Sequence, residues 1–113
     1  MACLFCSVLE KKIPAKIVYE DDHAVAFHDI NPQAPTHVLV IPRTHIAAIH
    51  AAEPAHALEL GHVLLAARKV AEQEGLVESG FRLVINDGEH AGQTVHHIHV
   101  HVLGGRALGW PPG

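Results

Sequence analysis

Apolar and polar positions along the chain alternate with two periods, and the places where the period changes mark the elements. Residues 4–10 (LFCSVLE) have the spacing of a short helix, halted before Pro14. Ile17–Glu20 and Ala24–His28 read as short strands around the turn signal Asp21-Asp22. Two prolines in Asn31-Pro32-Gln33-Ala34-Pro35 make a loop, and residues 37–41 (HVLVI) form a third strand ended by Pro42. The period then lengthens to that of a helix. Pro54 suits its first turn, Glu53 has the right sign for its N-terminus, and Gly75 is a natural stop. Leu60, Leu64, Ala67 and Ala71, with Val63 and Val70 beside them, predict its buried stripe. Residues 81–86 (FRLVIN) are a fourth strand, a loop runs from Asn86 to Gly92, and residues 95–103 (VHHIHVHVL) are a fifth. Trp110-Pro111-Pro112-Gly113 is an extended tail. This order predicts an α+β domain: a five-stranded antiparallel sheet with one short and one long helix on one side.

Composition narrows the class. With 113 residues and 49% apolar content, the chain fits one globular domain over residues 1–113, large enough to bury a core. No apolar run approaches the ~20 residues of a membrane span, and residues 1–9 lack the basic and apolar regions of a secretory signal. These features predict a cytoplasmic protein without a membrane partner. Eight Lys and Arg are scattered among twelve Asp and Glu, which argues against binding nucleic acid through its phosphates.

Twelve histidines are the compositional oddity. On a strand, His97, His99 and His101 project from one face while Ile98, Val100 and Val102 face the core. Three imidazoles on one face pack poorly but suit a phosphate, because histidine is a nucleophile when neutral and an anion donor when protonated. His96 falls on the apolar side and reads as a bystander. Upstream, Gly92 permits close backbone approach, and Gln93 and Thr94 offer neutral donors to phosphate oxygens. The bland alternative is a connecting loop and a solvated strand. His23, His50, His56, His62 and His90 carry only that bland reading, on helix flanks, turns and loops.

The run from Gly92 to Arg106 (GQTVHHIHVHVLGGR) resembles the signature of the histidine triad (HIT) superfamily. Ile13-Pro14-Ala15-Lys16, the stretch Phe27 to His37 (FHDINPQAPTH) and the closing WPPG resemble its Hint branch, so the likeness runs along nearly the whole chain. The resemblance implies a fold whose sheets pair in a homodimer and that binds purine nucleoside monophosphates or phosphoramidates. It implies His99 as the nucleophile that forms a nucleotidyl-histidine, with His101 and the backbone near Gly92 and Gln93 holding the phosphoryl oxygens. Thr94 would sit near the leaving group, Asn86 at the phosphate, Asp29 on the ribose hydroxyls, and Phe27 and Ile30 in the base pocket. His28 would border that pocket or lie half-exposed on its strand, and His37 and His97 would support the row. Trp110 would reach the partner subunit's site, or simply pack as a terminal aromatic. Transferases of the superfamily carry Gln where this chain has His101, which favours hydrolysis.

Cys3-Leu4-Phe5-Cys6 has the spacing of a zinc half-site, although a reduced pair or a redox motif fits the same spacing. Some members of the superfamily complete a Cys2His2 site with two histidines, which correspond to His45 and His97 here. The resemblance therefore implies a structural zinc ion and no catalytic cofactor. Three functions follow: a phosphoramidase cleaving P–N bonds, adenosine substrates first; a dinucleoside polyphosphate hydrolase; and a non-catalytic nucleotide- or metal-binding module.

Overall fold

A computed structural model describes residues 3–113. The elements in chain order are α1 (Leu4–Leu9), β1 (Ile17–Glu20), β2 (Ala24–His28), β3 (Thr36–Pro42), α2 (Ala57–Gln73), β4 (Phe81–Val84) and β5 (Val100–Gly104). The strands form one antiparallel sheet in the order β1-β2-β3-β5-β4. The α+β architecture expected from the sequence is therefore present. Among the described residues no helix is long and apolar enough to cross a membrane.

The two helices lie on opposite faces of the sheet rather than together on one side. Strand side chains alternate, so Ala24 and Ala26 of β2 pack with α2 while Val25 and Phe27 pack with α1. On the α2 face, Val38, Val40, Val100 and Val102 meet Val63, Ala66, Ala67, Val70 and Ala71 of the helix. Three of those five helix residues are alanine, which lets the helix axis approach a valine-rich sheet closely. Leu64, expected in this stripe, is instead 47% exposed, because the inward positions fall at Val63, Ala66, Ala67, Val70 and Ala71 and Leu64 lies beyond the edge of that stripe. A 3-10 turn (Pro54–His56) starts the helix, with Glu53 and His56 capping each other reciprocally. At the far end Gly75 adopts a left-handed φ of 73°, and the Leu76 N–H returns to the Ala71 carbonyl at 2.9 Å.

On the other face, Phe5 and Val8 of α1 cover Val25, Phe27, Leu39 and Ile41. The register Phe27↔Leu39↔His101 carries this face across to β5. Beyond the short α1 the face stays open, and that opening is the cleft described below.

β4 ends at Val84 and β5 begins at Val100, so both are shorter than the alternation predicts. Residues 95–99 leave the ladder altogether. His96, expected on the apolar side of a strand, is exposed as a result, whereas His97, Ile98 and His99 are all buried.

Candidate active site

Residues 95–99 are held by bonds other than a strand ladder. The Ile98 N–H donates to the Ile46 carbonyl at 2.7 Å, and the His97 Nε2–H donates to the Pro42 carbonyl at 2.9 Å. The His99 Nδ1–H donates to the His97 carbonyl at 2.7 Å. A carbonyl oxygen only accepts, so that bond places a proton on Nδ1, and in the neutral ring the lone pair then lies on His99 Nε2. The ring stands edge-on to Phe5 at a 5.0 Å centroid separation, and Phe5 stands edge-on to Phe27 at 5.4 Å. Phe5 carried no assignment in the sequence reading. Its position between two candidate metal ligands was the available signal.

A second chain of bonds settles the protons of His37 and His101. The Gln33 backbone N–H donates to His37 Nδ1 at 3.0 Å, so His37 carries its proton on Nε2. That Nε2–H lies 2.9 Å from His101 Nδ1 and 3.3 Å from Asp29 Oδ2. His101 therefore accepts on Nδ1 and presents an Nε2–H donor, with the Asn86 side-chain amide 3.4 Å away. Burial, followed by the charges of neighbouring His99 and His37, pushes His101 down to about 4, against a smaller opposing pull from Asp29. Burial also lowers His37, again against Asp29. Both rings are neutral at pH 7, so His101 is a directed neutral donor and not a cation.

These groups open onto a cleft of about 990 Å³. Its apolar wall includes Leu4, Phe5, Val8, Phe27, Leu39 and Val95, and its polar side carries Asp29, His37, Thr94, His99 and His101. Ile30 lines the rim and is fully exposed. Asp29 Oδ1 accepts the Asn31 N–H at 2.8 Å, which fixes the carboxylate at the mouth. His28 also lines the cleft.

Three expected members are placed differently. The Gln93 side chain turns inward, donating to the Ala47 and Val95 carbonyls at 2.8 and 3.1 Å and accepting the Gly88 N–H at 2.9 Å. Its amide is fully engaged in tying the loop together, and Gly92 beside it takes the left-handed φ of 82° that the loop requires. The fully buried His97 ring is closed off from substrate, with one nitrogen on Pro42 and the other facing the cysteines. Trp110 is 82% exposed beside Arg82, whose guanidinium carbon lies 5.9 Å from the ring centroid, and it does not line the cleft of its own chain.

Behind the cleft, four donors converge as the sequence resemblance implied. His97 Nδ1 lies 3.4 Å from Cys3 Sγ, 3.7 Å from Cys6 Sγ and 3.2 Å from His45 Nδ1, and Cys6 Sγ lies 3.4 Å from His45 Nδ1. A tetrahedral zinc ion with ordinary bond lengths needs ligand edges of about 3.4 Å between nitrogens and about 3.6 Å between nitrogen and sulfur. The cluster fits that figure. The Pro42 carbonyl fixes the His97 proton on Nε2 and so turns the Nδ1 lone pair toward the cysteines, the usual outer support of a metal-bound imidazole. Burial and the adjacent Cys3 raise the Cys6 thiol above its ordinary range, a penalty that a bound cation removes. Asp29, His37 and His101 also converge. There, however, the 2.9 Å nitrogen–nitrogen contact is a hydrogen bond with one proton, already accounted for above.

Four other histidines fasten structure. His50 bonds Asp87 at 2.9 Å, His56 completes the helix cap, and His23 stacks on His62 at 3.7 Å.

The family model of the HIT domain matches residues 10–108, and the chain belongs to that family. The chain is 54% identical over 110 residues to an uncharacterized HIT-like protein of Synechococcus elongatus, covering 97% of this chain and 96% of that one. It is 52% identical over 112 residues to a 14 kDa zinc-binding protein of Zea mays, covering 97% and 87%. A crystal structure of a HIT family hydrolase from Legionella pneumophila superposes with a TM-score of 0.97 at 50% identity, covering 99% of this chain and all of that one.

Proposed function

We propose that this protein is a nucleotide hydrolase of the Hint branch, cleaving the P–N bond of purine nucleoside 5′-phosphoramidates, adenosine first. The observation that carries the reading is the His99 ring. A carbonyl holds its Nδ1 proton, and its Nε2 lone pair is left free beside a neutral donor, His101. In this mechanism His99 Nε2 attacks the α-phosphorus, a phosphorus–nitrogen bond to the enzyme forms, and the bond to the leaving amine breaks. The imidazolium that results keeps its Nδ1–H on the His97 carbonyl. The His101 Nε2–H and the Asn86 amide stabilise charge spreading over the phosphoryl oxygens, being already oriented before the reaction. Thr94, exposed at the cleft, passes a proton to the departing amine. Water then attacks phosphorus and returns a proton to Thr94, and the phosphorus–His99 bond breaks, which releases the nucleoside monophosphate and restores neutral His99. Phe27, Ile30 and Leu39 hold the base, and the Asp29 carboxylate accepts from the ribose hydroxyls.

The four donors Cys3, Cys6, His45 and His97 would hold a structural zinc ion. A closed set of four protein ligands leaves no position for a reacting water. The zinc-binding name of the maize relative supports the same reading. A reduced thiol pair suits a cytoplasmic location. The chain would act as a homodimer: Phe81 and Leu83 of β4, with Ile85 just beyond it, present an exposed apolar row, and among the described residues β4 pairs only with β5. Trp110 would then lie near the partner's cleft.

Steady-state hydrolysis separates the alternatives. Release of AMP from adenosine 5′-phosphoramidate, much faster than from a diadenosine polyphosphate, is the expected outcome. The reverse preference moves the chain to the polyphosphate class. AMP binding without turnover of either makes it a binding module.

A further inference from the structure

We infer that the Cys3–Cys6–His45–His97 cluster positions the nucleophile, so that metal binding there and phosphate capture at His99 are thermodynamically coupled. The second half of this statement rests on the proposed nucleotide reading, and the first half does not.

Three observations carry it. His97 and His99 stand outside β5, where no ladder dictates their backbone, yet they are buried to 0% and 6% exposure. Besides the Pro42 carbonyl on the His97 ring and the Gln93 amide on the Val95 carbonyl, the anchors of that segment belong to the cluster or to a residue next to one of its members. His97 is a ligand through its ring, and its own carbonyl holds the His99 Nδ1–H at 2.7 Å. Ile46, which takes the Ile98 N–H at 2.7 Å, follows His45. Phe5, edge-on to both His97 and His99, precedes Cys6.

The third observation is the weakness of α1 on its own. It has six residues, too few for independent helical stability, and its N-cap is Cys3 itself. Without the cluster closed, α1 and the 95–99 segment are joined by apolar contact and by long thiol hydrogen bonds. With it closed, the Phe5 wall and the His97 carbonyl are fixed with respect to each other. The His99 ring lies between them and has one orientation and one tautomer. Cys3, Cys6, His45 and His97 are thus positioning residues for the proposed reaction, acting through Phe5 and a main-chain carbonyl.

The test uses the whole protein in four forms: zinc-loaded, chelator-stripped, and two variants of the exposed ligand His45, which lies outside the cleft. His45→Ala removes a ligand, whereas His45→Cys keeps four in a Cys3His set that zinc accepts. Long-range 15N–1H spectra of the imidazoles report the His99 tautomer without any nucleotide. Loaded wild type and loaded His45→Cys should show a single Nδ1–H form, and stripped protein and His45→Ala a mixture. The same His99 spectrum in all forms would overturn the positioning role. So would collapse of sheet amide dispersion on stripping, which would assign the cluster to global stability. In parallel, zinc affinity is measured by chelator competition with and without AMP. Reciprocity requires AMP to tighten zinc by the factor by which zinc tightens AMP, expected at about tenfold. Equal affinities overturn the coupling. AMP failing to bind loaded protein that still shows the tautomer change would overturn the nucleotide reading and leave the positioning role supported.

Discussion

On the α2 face of the sheet, valines and alanines pack together with Leu76. On the face that α1 only partly covers, the same strands present Phe27, Leu39 and His101 to a cleft. Alternation along each strand supplies both surfaces from one set of residues. Val38, Val40, Val100 and Val102 look one way, and His37, Leu39 and His101 look the other. The contrast shows how a domain of this size keeps buried histidines. One face provides apolar burial, and the other accommodates imidazoles held by hydrogen bonds to carbonyls, to a backbone N–H and to one another. Substitutions on the two faces should therefore separate stability from activity.

The largest separation is expected at His99. His99→Ala should lower kcat for phosphoramidate hydrolysis by at least about 1,000-fold. The urea midpoint should shift little, since the fold's main core lies on the opposite face. Parallel activity and unfolding measurements check it, and a comparable loss in both would erase the distinction between faces. The converse substitution is Ala67→Leu, at a fully buried helix position against the sheet. Overpacking there should cost about 1–3 kcal/mol of stability and leave kcat per folded molecule unchanged. Equilibrium unfolding and active-site titration measure the two quantities. At the cleft mouth, Asp29→Asn removes an ionised acceptor. KM should rise by about tenfold, the size of one charge-assisted hydrogen bond, with a smaller change in kcat. A 2′-deoxyribose substrate should be less sensitive to the change than the ribose one.

A further separation comes with pH. Burial lowers His37, His97 and His101, the last to about 4, so each is neutral when folded. In the unfolded chain histidine titrates near ~6.5. Between those values the unfolded state binds more protons, so stability is complete above about pH 6.5 and declines as pH falls toward 4. The urea midpoint should follow that slope. His101→Gln should flatten it, whereas Ala67→Leu should lower the whole curve without changing its shape. Equal slopes for wild type and His101→Gln would remove His101 from the account.

Legibility in the sequence follows the same division. β1 to β3 and α2 were readable because alternation, the helical stripe and prolines or glycine mark their ends through local backbone physics. The side of the sheet that α1 takes was not, because the sign of a strand's alternation does not say which helix covers which face. The row of three histidines was readable as a pattern. Its first member, however, is held by the Pro42 carbonyl and the cysteines, and the intervening Ile98 N–H by the Ile46 carbonyl, all more than fifty residues away, and no local rule reports such partners. The tautomers of His37 and His101 hang on the Gln33 backbone N–H, which every residue but proline offers. Gln93 shows the opposite case: a residue type that suits phosphate, used to close its own loop. The four cluster ligands were recoverable only through the family resemblance, since Cys-x-x-Cys by spacing alone fits three uses.

The covalent intermediate is the most direct test of the proposed chemistry. Loaded wild-type protein is mixed with adenosine 5′-phosphoramidate, quenched within one turnover, digested and analysed by mass spectrometry. The account predicts one adenylyl group on the peptide that contains His99, localised to that residue by fragmentation and missing from His99→Ala. Turnover to AMP with no adduct on that peptide, together with a His99→Ala variant that still hydrolyses the substrate, would contradict it.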